Sequence, residues 1–422
     1  LQQESSLVNA PTSLTPVPDH IPADAVYDFD MRYDAGLIAD PHKRIVEVLK
    51  EAGGLFWTPR DGGRWIAMGH PELFEASRDP ERFSSSYMKP EQMAALLAMM
   101  PEGMPRFPQA TPITMDPPDH TKYRVPLQKA FSPKAAVSRI EEIRQLSNEL
   151  IDKVIDQGHC DFIPAIAEPL PVTVFLRLMG LPVERLGEFR DLVHEFLAAT
   201  LSDDRMSAAS LSRKVADAMV PDILARKEEP RDDLISQLWA TEIEGEPMTL
   251  ALMEDYTVLL FIAGLDTVIN GMGFAVRHLA MNPDLQNDLR ANPARIPDAV
   301  EEMLRRYSFA IPMRRVAKDT ELAGRKMKEG EWLALYYPGA DLDPREFPNP
   351  EEFDMKRENN VHIAFGAGPH RCLGAHLARV ELQVLYQQLL KRLPTWRLDP
   401  DHAATFHSGN IIAMDSLPIR WD

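Results

Sequence analysis

An apolar helical pattern runs from Leu250 to about Met281, some thirty residues that would span roughly 45 Å at 1.5 Å per residue. Few single helices are so long. Its middle reads Leu259-Leu260-Phe261-Ile262-Ala263-Gly264-Leu265-Asp266-Thr267, which sets an acid and a β-branched alcohol in an otherwise apolar turn. Burying that acid without a partner would be costly. Leu259, Ala263 and Thr267 share one face, with Asn270 near its edge, and Ile262 and Asp266 share the next. Gly264 removes a side chain where something could approach the backbone, and the Thr267 hydroxyl can reach the Ala263 carbonyl.

The chain around this helix has 422 residues, of which 45% are hydrophobic, enough for a large core. No low-complexity linker divides it, so one large unit over 1–422 is expected. Leu55 to Thr58 and Arg64 to Met68 flank Asp61-Gly62-Gly63 and read as a β-hairpin. Helical patterns cover roughly 71–78, 120–131, 137–157, 184–199, 207–227, 250–281, 283–291, 296–308 and 373–392, with short strands near 314–336 and 405–420. The fold class is mainly α with small β-sheets. Residues 1–25 read as an extended N-terminal segment.

No apolar run reaches about eighteen residues without interruption, and the N-terminus lacks the order of a signal peptide. A soluble, cytoplasmic, monomeric protein without a membrane anchor is expected. A net charge of −18 disfavours nucleic-acid binding, which needs a basic footprint.

The second constraint is the run Phe365-Gly366-Ala367-Gly368-Pro369-His370-Arg371-Cys372-Leu373-Gly374. Three glycines and a proline shape a tight loop, and an apolar stripe of Leu373, Leu377, Val380, Val384 and Leu385 starts a helix directly after it. At a helix start, unpaired N–H groups and the dipole favour a deprotonated sulfur on Cys372. A buried apolar cysteine would not need three glycines and a basic pair. A Cys/His hydrolase would put its base, His370, only two residues away, whereas such partners meet from distant segments. Structural zinc needs four ligands, and the only other cysteine, Cys160, has no ligand spacing. One axial thiolate to haem iron fits best.

That run resembles the haem-binding loop of the cytochrome P450 family at every defined position. Val26-Tyr27-Asp28-Phe29-Asp30-Met31, Thr114-Met115-Asp116-Pro117-Pro118, Gly264-Leu265-Asp266-Thr267-Val268-Ile269-Asn270 and Leu417-Pro418-Ile419-Arg420-Trp421-Asp422 are similar to its bacterial branch of camphor and terpenoid hydroxylases. The resemblance implies a P450 fold holding haem b, with Cys372 as the iron ligand and Phe365, Gly366, Gly368 and Ala263 against the cofactor. His370, Arg314, Arg124 and His120 would face the propionates. Thr267 would hydrogen-bond the dioxygen to be cleaved, and Asp266 would pass protons inward. Glu302 and Arg305, completed by Arg357 from a later meander, would form a buried structural ion group.

Residues 84–115, rich in methionine (Met88, Met93, Met99, Met100, Met104 and Met115) and in proline, would be an adaptable lid over the substrate. By the same resemblance the pocket is lined by Leu259, Ile262, Ala263, Ala310, Asn410, Ile411 and Pro108, the last standing where camphor hydroxylases carry a ketone-binding tyrosine. Walls of this kind suit a small neutral hydrocarbon-like substrate, a monoterpenoid or an ionone-like norisoprenoid, with Asn410 as a candidate hydrogen-bond donor. Asn410 reads equally well as a turn residue after Ser408-Gly409. No Gly-x-Gly-x-x-Gly fingerprint is present, so electrons would come from a [2Fe-2S] ferredoxin and its reductase. Arg371, Arg379 and Lys122 would form its docking patch. A peroxide-driven peroxygenase is the alternative enzyme, which Asp266 and Thr267 argue against; a haem sensor or carrier is the alternative outside catalysis.

Overall fold

The computed structural model describes residues 12–89, 91, 92, 95, 99, 106–201 and 205–422. Met93, Met100 and Met104 of the expected lid, and residues 1–11 of the extended segment, lie outside the described residues. Contacts gather the chain into two compact units: Leu1–Ser84 with Glu301–Gly368 and Ala404–Ser416, and Ser85–Val300 with Pro369–Ala403 and Leu417–Asp422. Neither is one continuous stretch, which is why no linker marks them in the sequence.

In the first unit a five-stranded sheet carries the core. The expected hairpin forms it on one side: Leu55–Thr58 pairs antiparallel with Arg64–Ala67, through a turn in which Asp61, Gly62 and Gly63 all take positive φ. Trp332–Leu335 then joins Arg64–Ala67 in parallel and Met313–Val316 antiparallel, and Phe83–Ser84 closes the far edge. Trp57, Trp65, Leu333, Leu335 and Phe83 fill one cluster against this sheet. The Pro41–Ala52 helix, unforeseen in the sequence, is capped by Asp40, whose side chain accepts from the Lys43 N–H, with Pro41 at its first position.

The second unit is helical. Its longest helix, Leu250–Met281, begins where Thr249 accepts the Leu252 N–H. It packs against the helices Pro169–Met179, Arg205–Glu228 and Ala375–Arg392. Tyr256, Val258, Leu260 and Phe261 enter a cluster with Phe175, Phe189 and Met219. By length and hydropathy this helix could cross a membrane, but 59% of its most apolar window is buried inside the fold, the condition of a core helix. Farther along, the Tyr386 hydroxyl donates to the Gly271 carbonyl and the Trp396 indole to Val276, which ties the C-terminal helix and its following strand to the long one.

One expected helix is divided. The pattern over 137–157 is two helices, Pro133–Ser138 and Ile140–Asp152, followed by a 3-10 turn at Ile155–Gln157. Gly158 then takes a left-handed conformation and leads into the strand His159–Asp161.

Candidate functional site

Within the second unit, Cys372 sits between the 3-10 turn Gly368–His370 and the helix Ala375–Arg392, whose cap is Gly374. Cys372 is exposed as a residue, yet protein atoms crowd around its thiol. Burial raises the thiol pKa, against the N–H groups of Gly374 and Ala375 and the charges of Arg124 and Arg379. The sequence expects the helix start to dominate; desolvation outweighs it, because surrounding protein penalises the anion more than two N–H groups and two partly screened guanidinium groups favour it. A thiolate at this position would need a bound metal cation to draw off its proton.

The basic residues expected near the cysteine gather there. Arg124, on the helix Asp119–Gln128, donates through Nη2 to the Arg371 carbonyl at 2.5 Å. The rings of His120 and His370 approach to 4.2 Å between centroids, with His120 buried. Two imidazoles and a guanidinium beside an exposed cysteine fit a cofactor that is bound through a soft metal and carries carboxylates at its edge. Arg379 is half-buried, and Nη1 donates to the Ala375 carbonyl. Arg371 is exposed, whereas Lys122 is engaged by Asp119 at 3.1 Å and Glu244 at 3.2 Å, so it adds little positive charge to a docking patch.

The long helix is buried along most of its length but opens at Ala263 and Gly264, which are both exposed. A Cβ placed on Gly264 would meet no atom within 4 Å beyond its own stretch of helix. Beside this opening the Thr267 Oγ1 donates to the Ala263 carbonyl at 2.9 Å, as the i, i+4 spacing predicts. Asn270, buried, donates through Nδ2 to the Asp266 carbonyl at 2.9 Å and to its Oδ1 at 3.3 Å. The acid and the alcohol are thus each held by a residue four positions away on the same helix. Leu259 is buried, Ile262 half-buried, and Pro108 buried.

In the first unit, Gly366 and Gly368 take φ of 76° and 71°. A Cβ at Gly368 would lie 2.3 Å from the Ser77 carbonyl and one at Gly366 3.0 Å from the Tyr337 hydroxyl, so the loop is closed down on its own unit. Phe365 lies tilted against His362 with centroids 6.3 Å apart. Arg314 is buried in the strand Met313–Val316 and donates to the Met313 carbonyl; no acid pairs with it among the described residues. A buried guanidinium without a carboxylate is consistent with an anionic ligand. Ala310 forms an isolated bridge with Ile411, and Asn410 is exposed in the turn between the strands Thr405–Ser408 and Ile412–Ser416, its carbonyl accepting from the Ile311 N–H.

The expected ion group is present in this unit. Glu302 and Arg305 are fully buried, and Arg305 binds both Glu302 oxygens at 2.7 and 2.8 Å. Arg357 reaches Glu302 Oε1 at 3.4 Å. Sequence reasoning misses two further members: Asn360 donates to Glu302 Oε2 at 3.2 Å, and the Asp354 N–H donates to Oε1 at 3.0 Å. It also misses Asp341, wholly buried, whose carbonyl accepts from Arg305 and whose Oδ1 accepts the Ile363 N–H at 2.8 Å, two residues before Phe365. These contacts link distant segments and leave no local spacing to read.

A family model described as Cytochrome P450 matches residues 169–420. A probable cytochrome P450 127A1 of Sinorhizobium fredii is 31% identical over 416 residues, covering 96% of this chain and 97% of that protein. The steroid C26-monooxygenase of Mycobacterium tuberculosis is 33% identical over 370 residues, covering 85% of this chain and 94% of that one. Among solved structures, CYP101J2 matches with a TM-score of 0.85 at 30% identity, over 97% of this chain and 100% of the other.

Proposed function

Because this chain belongs to the cytochrome P450 family, whose cofactor is haem b, we propose that it hydroxylates a small neutral apolar molecule of monoterpenoid or norisoprenoid class, with electrons from a [2Fe-2S] ferredoxin. The reaction consumes dioxygen, two electrons and two protons: one oxygen atom enters a C–H bond to give an alcohol, and the other leaves as water. Haem held by Cys372 supplies the redox chemistry. On this reading His120, Arg124 and His370 of the second unit hold its carboxylates.

The observation that carries the reading is the opening of the buried long helix at Ala263–Gly264, beside Asp266 and Thr267. Small side chains there leave room for a substrate, and on this reading the apolar Leu259, Ile262 and Pro108 line its surroundings. The Thr267 Oγ1 proton, parked on the Ala263 carbonyl, can turn toward an incoming oxygen atom, and the Asp266 carboxylate can renew it. Apolar walls discriminate weakly, about 1–3 kcal/mol per methylene, so several related substrates are expected to turn over. Arg371, the exposed arginine of the cysteine loop, is the proposed contact for an acidic ferredoxin.

The test is a screen of monoterpenoids, ionones and steroids for the spin-state change in the haem absorption band, followed by turnover with a ferredoxin and its reductase. Alcohol formed from a small terpenoid in step with reductant supports the proposal. Response to steroids alone would transfer the reading to the larger substrate of the mycobacterial relative.

A further inference from the structure

We propose that an ionic clasp of Arg106, Asp255, Glu254 and Arg213 fixes the backbone on both sides of Pro108, and so limits how fast bulky ligands enter and leave. The proposal rests on reading residues 106–111 as part of the cover of the apolar site.

Glu254 and Asp255 are consecutive near the start of the long helix, and both are buried. Two adjacent buried carboxylates need cations or a dense set of donors. Successive residues on a helix point about 100° apart, and here each acid takes its own arginine. Asp255 Oδ1 accepts from Arg106 Nη2 at 2.6 Å and from the Gln109 N–H at 2.7 Å, and Thr111 Oγ1 lies 3.4 Å from Oδ2. Glu254 accepts from Arg213 Nη1 and Nη2, both at 2.9 Å. Arg213, on the helix Arg205–Glu228, also donates to the Arg106 carbonyl at 3.2 Å. Arg106 in turn donates through Nη1 to the Ala251 carbonyl at 3.2 Å and lies 3.6 Å from Glu254.

The network thus joins three elements: the 106–111 segment, the first turns of the long helix, and the helix that bears Arg213. Pro108 lies between the residues gripped, so its place is set by contacts on both sides. The grip is also asymmetric. The Arg106 side chain is 39% exposed while that of Asp255 is 7% exposed, so water and salt reach the cation of the pair more readily than the anion. Releasing Arg106 leaves Asp255 its bonds to Gln109 and Thr111. Such a contact can open without unfolding its surroundings, which a fully buried pair cannot. Arg106, Arg213 and Asp255 are therefore positioning residues and have no part in the chemistry.

The haem-loaded full chain and its Arg106→Gln, Arg106→Lys and Arg213→Gln variants are compared for binding of 4-phenylimidazole and of imidazole, followed by stopped-flow absorption, and for amide exchange over 106–111. In Arg106→Gln, exchange over 106–111 should rise and the 4-phenylimidazole rates should increase about tenfold, the equivalent of one charge-assisted hydrogen bond. Arg106→Lys should recover part of the slow behaviour, and imidazole should change much less. Raising the salt on the unaltered protein should act in the same direction. Unchanged exchange in both glutamine variants would overturn the clasp. Faster exchange with unchanged ligand rates would instead overturn the reading of 106–111 as part of the cover.

Discussion

Arg305 meets Glu302 edge to edge, Nε to Oε2 at 2.8 Å and Nη2 to Oε1 at 2.7 Å, with neither side chain reaching solvent. The remaining donors of Arg305 go to the carbonyls of Asp341, Pro350 and Glu352. Its guanidinium also lies 5.3 Å from the centre of the Phe347 ring. A group this fully satisfied repays its desolvation, and it fastens the meander that leads to the cysteine loop onto a helix of its own unit.

Arg305→Ala should cost about 3–5 kcal/mol, because it leaves Glu302 buried beside a diminished set of donors. Arg305→Lys should be nearly as damaging, since an ammonium cannot reproduce a planar five-donor fork. Denaturation midpoints, together with the yield of thiolate-type carbon monoxide spectrum, read both effects. Lysine at full stability would show that charge alone, without the fork, holds the meander.

Glu302, Arg305 and Arg357 were open to sequence reading through the resemblance to the family's Glu-x-x-Arg pair and meander, since an i, i+3 pair alone is too common to single out. The bounds of the Leu250–Met281 helix were readable as well, from its apolar helical pattern, to which the structure adds Thr249 as cap. Pro169–Met179 was not: ten of its eleven residues are buried, so it is apolar on every face and has no period to detect. Asp40-Pro41, a capping acid followed by proline, is a helix-start signal that carries no apolar stripe of its own. Asp341, Asn360 and the partners of Glu254 and Asp255 were hidden for a different reason. Their contacts join segments far apart in the chain, and one sequence carries no sign of which distant donor a buried acid will meet.

Asp341 supplies a pH prediction. Burial pushes its carboxyl up to about 6, against the opposing pull of His362 and the Ile363 N–H. The folded value lies above the ordinary 3.8, so protonation favours the fold: the gain is complete below about pH 4 and is lost as pH rises through about 6. The swing is on the order of 3 kcal/mol at 1.36 kcal/mol per unit. Asp341→Asn keeps an acceptor for the Ile363 N–H and removes the buried charge. It should therefore be more stable than the original chain at pH 8, by less at pH 5. Urea midpoints across that range check it, and a variant weaker at pH 8 would show that the carboxylate is needed there.

Thr267 offers a test of proton handling separate from binding. Thr267→Ala removes the hydroxyl and leaves the apolar surroundings intact, so ligand affinity should change little. Product formed per electron consumed should fall about tenfold or more, with hydrogen peroxide released in its place. Thr267→Ser keeps the hydroxyl and should keep most of the coupling. Full coupling in the alanine variant would move the proton path to other residues.

Gly264 separates stability from function. It lies in the interior of a helix, where alanine is favoured over glycine by about 1 kcal/mol, and a Cβ there would touch nothing within 4 Å beyond its own stretch of helix. Folding alone would favour alanine. Gly264→Ala should therefore raise stability by about 1 kcal/mol while weakening the largest ligands that bind, because the added methyl occupies the opening beside Thr267. Gly368→Ala is the contrasting case: φ is +71° and the new Cβ would meet the Ser77 carbonyl at 2.3 Å, so a loss of more than about 1 kcal/mol and poorer cofactor retention are expected. Denaturation midpoints of both variants, with affinities for a size series of terpenoids, decide the matter. A Gly264→Ala protein that is less stable would mean that the space is filled by packing in solution, and the volume argument for the substrate would fall.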